Sequence, residues 1–286
     1  MKYLVLSLAI LASVTCCKSQ TSSSQPYPET KLGWKLSSVS YNWKMFTFIE
    51  SLDKLDSCGL KYIEGWAGHV IGEGMEGKLD YHMDKATREI ILQKLKSKNI
   101  KMLTYGVVTP KSESDWRQLF EFGKAMGIEL FDSEPEEKFL PLISKLCEEY
   151  QIDVAIHNHT NPSPYWNPDI LLNTIKGQSK RIGSCADIAH WVESGLDPIE
   201  CLKKLKGRIL HTHMADLNEK NSPKAQSVPW GTGVLNMVGI FEELKRQNYK
   251  GFIDIEYENN WYNNVPDIIA SIAYFRDLVP HILSKN

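Results

Sequence analysis

From about residue 32 the chain alternates short apolar, β-rich runs with longer stretches whose apolar positions recur every three or four residues. The first kind reads as strand and the second as amphipathic helix. Strands are expected over 34–39, 60–64, 101–107, 128–131, 153–157, 182–187, 208–213 and 251–256. Helices are expected over 43–55, 84–98, 114–126, 136–150, 168–176, 198–206, 234–247 and 265–283. Gly127 is placed to end the third helix and Pro168 to begin the fifth. Strand followed by helix, repeated eight times without a break in composition, predicts one α/β domain, a single (β/α)₈ TIM barrel over 32–286.

The ends of the later strands carry the chemistry. Glu134 follows GIELFDS; His157 and His159 follow DVAI; Asp187 and His190 follow RIGSCA. His211, His213 and Asp216 follow GRIL, and Glu256 and Glu258 follow GFIDI. A barrel builds its site from the C-terminal ends of different strands, so these scattered residues converge at one mouth. Residues two apart on a strand face the same way, so His157 and His159 can serve as metal ligand and substrate contact. Asp187 and His190 can share one rim, or Asp187 can cap a helix. Asp254, Glu256 and Glu258 share parity, and such acids repel in a dry core unless a cation lies near Glu256. Mixed His and carboxylate donors suit Zn²⁺, Mn²⁺, Co²⁺ or Fe²⁺, and Mg²⁺ less well.

The long segments 65–81, 159–167 and 216–233 are expected to cap that mouth. They hold Trp66, Trp166 and Trp230, which can stack on a pyranose or plug the loops. Glu64, at the end of strand two, is a candidate sugar contact or a support for the site. His69, a lone loop histidine, is expected to face solvent.

The strings SCADIAHW, HTHMADL, VPWGTG and GFIDIEYE resemble the xylose isomerase-like barrel superfamily of sugar phosphate isomerases and epimerases. That resemblance implies Asp187, His213 and Glu256 as ligands of a divalent metal, with either His157 at the end of strand five or Glu134 on the adjacent strand end completing the set. It also implies proton abstraction next to a carbonyl, with Glu134, Glu256 or His159 moving the proton. Glu64, Trp66, Trp166, His190, Asp216 and Trp230 are the expected substrate contacts. The epimerases carry a glutamate where this chain has His157. Inosose dehydratases have a histidine-containing strand five similar to this one, which points toward a lyase or dehydratase as the alternative reaction. A non-catalytic glycan-binding lipoprotein is the reading from a different class. The superfamily's AP endonucleases need further histidines on strands two and three, and strand three here ends in Tyr105-Gly106-Val107.

The net charge of −2 and the lack of a basic run give no footing for nucleic acid. Residues 3–14 form an apolar run too short to span a bilayer, ending at Thr15-Cys16-Cys17. That segment resembles a lipoprotein signal, with Cys16 as the lipidated residue and Cys17 as a second candidate. It predicts export to the cell envelope or periplasm, a polar tether over 18–31 and membrane contact only through the anchor. An exported enzyme meets free sugars rather than cytosolic sugar phosphates, so the expected partner is a small unphosphorylated sugar. Cys58, Cys147, Cys185 and Cys201 lack CxxC spacing and are expected as buried free thiols.

Overall fold

The structure, a computed structural model, describes residues 27–72 and 74–285. Eight strands close into a barrel: β1 Trp34–Val39, β2 Tyr62–Trp66, β3 Lys101–Gly106, β4 Leu130–Ser133, β5 Asp153–His157, β6 Ile182–Asp187, β7 Ile209–Met214 and β8 Gly251–Ile255. Each strand pairs in parallel with its neighbours in sequence, and β8 closes on β1. The expected single (β/α)₈ barrel is therefore the fold.

The helices packed outside are α1 Phe48–Ser57, α2 Lys85–Ser97, α3 Glu113–Met126, α4 Leu140–Tyr150, α5 Pro168–Thr174, α6 Ile188–Glu193, α7 Pro198–Lys204, α8 Met237–Arg246 and α9 Val265–Ser284. Local chemistry sets their ends. Thr47 and Glu50 form a reciprocal capping box that starts α1 five residues after the expected position. Trp43, expected inside that helix, sits in a preceding 3₁₀ turn and is still fully buried. Gly127 ends α3 in a left-handed conformation at φ 73°. Asp187 caps α6, a short helix absent from the expected set.

The core lies between barrel and helices. In α9, Phe275 stacks on Trp34 and packs against Trp230 and Phe241, joining the last helix to β1 and α8. Residues 28–31, expected in the tether, belong to a 3₁₀ turn whose Glu29 is buried and meets Arg276 at 3.3 Å. The lipoprotein-like segment, Cys16 included, lies outside the described residues. Among the described residues no helix is long and apolar enough to cross a membrane. Cys58, Cys147, Cys185 and Cys201 are free and buried.

Candidate metal centre and sugar pocket

A cavity of about 520 Å³ opens at the C-terminal end of the barrel. Glu134, His157, His159, His190, His213, Glu256 and Glu258 line it, with Glu64, Tyr41 and Trp66. Its floor brings together His157, Asp187, His213 and Glu256, one donor atom from each lying within 4.8 Å of the others. His157 Nε2 is 3.2 Å from His213 Nδ1 and 3.5 Å from Asp187 Oδ2; His213 Nδ1 is 3.3 Å from Glu256 Oε2. Asp187 Oδ1 is occupied, accepting the His190 backbone N–H at 2.9 Å. Its other oxygen, Oδ2, is buried without a hydrogen-bond partner. A carboxylate oxygen left bare among imidazoles and a second carboxylate is costly alone and is satisfied by a cation. The donor set therefore fits a divalent metal. Burial, with repulsion from His213, His159 and His190, holds His157 well below its ordinary pKa, in the neutral form that ligates metals.

Two flanks rise above this floor. On one, Glu134 accepts from Ser163 Oγ at 2.6 Å and lies 3.1 Å from His159 Nδ1. Burial alone would raise Glu134, but the bonds from His159 and Ser163 outweigh it and bring it down to about 2. On the other, His190 Nδ1 is 3.1 Å from Glu193 Oε2 and 2.8 Å from Thr160 Oγ1, leaving Nε2 toward Asp187. Burial alone would lower His190, but Asp187, Glu193 and Glu256 outweigh it and raise it to about 10. With no cation on the floor, the charges thus favour an ionised carboxylate on one side of the cavity and a protonated imidazole on the other.

Beneath the floor lies a set of ionisable groups that the sequence reading missed in part. His211 Nδ1 is 2.6 Å from Asp132 Oδ2, and His211 Nε2 is 3.2 Å from Asp254 Oδ2. Burial alone would lower His211, but Asp132 and Asp254 outweigh it and hold it well above its ordinary value. Glu64 connects the levels, with Oε2 3.1 Å from His213 Nε2 and 3.6 Å from His211 Nδ1. Burial, then repulsion from Asp132, pushes Glu64 well above the usual carboxylate range. Glu64 is thus placed to orient a ligand histidine through its second nitrogen. It reaches the cavity wall as well, so its expected role as sugar contact is joined by this one.

Three expected sugar contacts point elsewhere. Trp230 is buried in the core against Phe241 and Phe275, because its loop folds back over α8 and α9. Asp216 is fully buried, and its carboxylate accepts the backbone N–H groups of Leu217, Gly231, Gly233 and Leu235. It organises the loop from within. A Cβ at Gly233 would stand 2.3 Å from Asp216 Oδ1, which explains the glycine. Trp166 is half-buried and absent from the cavity wall. His69 is buried rather than solvent-facing, with Nε2 2.9 Å from the Phe46 carbonyl.

A family model described as xylose isomerase-like TIM barrel matches residues 52–278. The chain belongs to the xylose isomerase-like TIM barrel family. An inosose dehydratase of Clostridium botulinum (strain Alaska E43) is 37% identical over 147 residues, 46% of this chain and 47% of that protein. The chain thus matches about half the length of such curated relatives. Among solved structures, a protein from Parabacteroides distasonis ATCC 8503 is 30% identical with a TM-score of 0.70, covering 86% of this chain and 99% of its own. An IOLI protein with a bound zinc atom shares the fold, with a TM-score of 0.67 at 17% identity over 88% of this barrel chain and 100% of its own.

Proposed function

We propose that this chain is a divalent-metal enzyme that removes the proton next to a carbonyl of an unphosphorylated sugar or keto-sugar, in the manner of sugar isomerases and epimerases. The observation that carries this reading is the convergence of His157, Asp187, His213 and Glu256 around the unpartnered Asp187 Oδ2. These four residues would hold the metal, which supplies Lewis acidity toward a carbonyl and a neighbouring hydroxyl.

The chain's own groups do the rest. Glu134, ionised and held by Ser163 and His159, is placed to accept a proton from carbon at the cavity wall. His159 can relay that proton through its contact with Glu134. His190, braced at Nδ1 by Glu193 and Thr160, is placed to donate from Nε2 to a substrate oxygen. Among the described residues the cavity wall includes no lysine or arginine, which supports a free sugar over a phosphorylated one. Trp66 and Tyr41 present aromatic edges and faces at the rim.

Elimination is the second reading, a dehydratase or a lyase of 3-keto-glycosides. It is favoured by His157 in place of the epimerase glutamate, by His190 placed to assist a leaving oxygen, and by the inosose dehydratase relatives. The deciding experiment incubates metal-reconstituted protein with free ketoses and with 3-keto-glucosides in D₂O. Deuterium in a product of unchanged formula supports isomerisation or epimerisation, and release of water or an aglycone supports elimination. A protein that binds no metal and exchanges no proton is a glycan-binding module instead. We place the enzyme in the cell envelope, anchored at Cys16, on the strength of the N-terminal run alone. Intact mass of the membrane-extracted protein tests this: an unlipidated, uncleaved N-terminus removes the anchor.

A further inference from the structure

The cavity continues beyond Glu134. Thr109 and Glu134 also form one wall of a second, open hollow of about 470 Å³. Lys111, Pro135, Glu136, Pro164 and Tyr165 complete most of it. A monosaccharide has roughly the bulk of six waters at about 30 Å³ each, and the inner cavity of about 520 Å³ already exceeds that. The outer hollow is therefore surplus to a single ring.

Its chemistry is that of a neutral, partly apolar ligand. The Tyr165 hydroxyl donates to the Pro135 carbonyl at 2.6 Å, fixing the 163–165 turn against the loop after β4. The two prolines and Tyr165 make a surface with little rotamer freedom to lose on binding. The charged rim is already paired: Lys111 lies 3.8 Å from Glu136, which Lys138 also meets at 2.7 Å. With Glu134 and Glu137 beside them, these groups offer hydrogen bonds to hydroxyls and repel an anion.

We propose that this groove is a subsite for a second, uncharged glycosyl unit, so that the protein takes a glycoside rather than a monosaccharide. The proposal rests on the sugar-binding reading of the inner cavity and adds a claim about substrate length. The test is isothermal titration of the whole protein, loaded with Mn²⁺, with glucose, maltose and cellobiose. At least one disaccharide should bind tenfold or more tightly than glucose. Pro164→Trp, which fills the groove outside the inner cavity, should remove that advantage and leave glucose affinity in place. Lys111→Trp, at an exposed position, repeats the test should the loop not tolerate the first change. Equal affinity for all three sugars, no binding of any, or an advantage that survives both variants overturns the subsite. Disaccharide preference without proton exchange in D₂O keeps the subsite and removes the enzyme reading, and exchange on ketoses without that preference does the reverse.

Discussion

Two tiers of side chains sit inside the barrel, and they differ by a single step along each strand. Asp132 and Glu134, Ala155 and His157, Cys185 and Asp187, His211 and His213, and Asp254 and Glu256 are each two positions apart. Period two turns both members of each pair to the inner face. The lower members are shut off from solvent, whereas Glu134, His157, His213 and Glu256 reach the cavity. A barrel interior is normally filled by branched apolar side chains, so a polar lower tier calls for a reason. Its groups neutralise one another: His211 lies between Asp132 and Asp254 as a buried cation between anions. Both tiers hold buried oxygens without a hydrogen-bond partner, Asp187 Oδ2 above and Asp132 Oδ1 and both Asp254 oxygens below. The strands are shared, and depth decides which tier opens on the cavity and can take up an ion from solution. Both four-residue groups of the lower tier share His213 with the floor, which its Nδ1 faces while its Nε2 turns to Glu64.

The sharpest way to break this comparison is to strike each tier separately. Asp187→Asn keeps an oxygen to cap α6 while removing the charge at the floor. Metal content should fall to background, and turnover should drop by about 10³-fold, the several kcal/mol that Lewis-acid assistance supplies. The thermal midpoint, measured without metal, should stay within a few degrees, on the order of 1 kcal/mol or less. A variant that unfolds instead would make the upper tier structural.

His211→Ala should act in the opposite sense. It strands Asp132 and Asp254 as buried, uncompensated carboxylates, at a cost of about 3–5 kcal/mol. Urea unfolding of metal-free protein checks it, and an unchanged midpoint would mean that the lower tier does not hold its charges through His211. Glu64 joins the tiers, so its removal should show in metal affinity first. Glu64→Ala is expected to weaken metal binding by about 10–100-fold, the usual effect of removing a partner that orients a ligand histidine. Glu64→Gln, which keeps an acceptor for His213 Nε2, should recover most of that loss in competition titrations with a chromophoric chelator. Equal losses in both variants would assign Glu64 to charge rather than to orientation.

The upper tier was legible in the sequence and half of the lower one was not. Asp187, His213 and Glu256 each end an apolar run just before the chain turns, which is what a strand-end site looks like. Asp132 escaped because an aspartate after GIELF reads as the residue that stops a strand. It instead lies inside β4, held by His211 at a separation of 79 residues that no local pattern reports. The missed signal was parity: Asp132 precedes Glu134 by the same two positions that separate Asp254 from Glu256. Trp230 and Asp216 show the converse limit. Their places in a loop could be read, but which way they face depends on how 216–217 pairs with 227–228 and on α9 beneath. The late start of α1 is a third case, where the Thr47–Glu50 cap outweighed apolar positions that extend further back.

The smallest expected effect concerns the edge of the upper tier, where Glu134 stands 20% exposed in its side chain. Its pKa is depressed below the ordinary carboxylate value, so the ionised form persists through neutral pH and is lost only as pH falls toward about 2. The bonds from His159 and Ser163 act against burial to hold it there. Ser163→Ala removes one of those bonds and should move the Glu134 midpoint upward by about one unit, since a hydrogen bond to a charged group is worth roughly 1.5–3 kcal/mol before solvent screening. Titration of the ¹³C-labelled glutamate carboxyl by NMR reads the shift directly. An upward move would also make Glu134 a stronger base, because proton transfer improves as the acceptor's pKa approaches the working pH. Proton exchange at saturating sugar should then rise slightly or hold, even as a contact is lost. A midpoint that stays in place would leave His159 as the group that tunes Glu134.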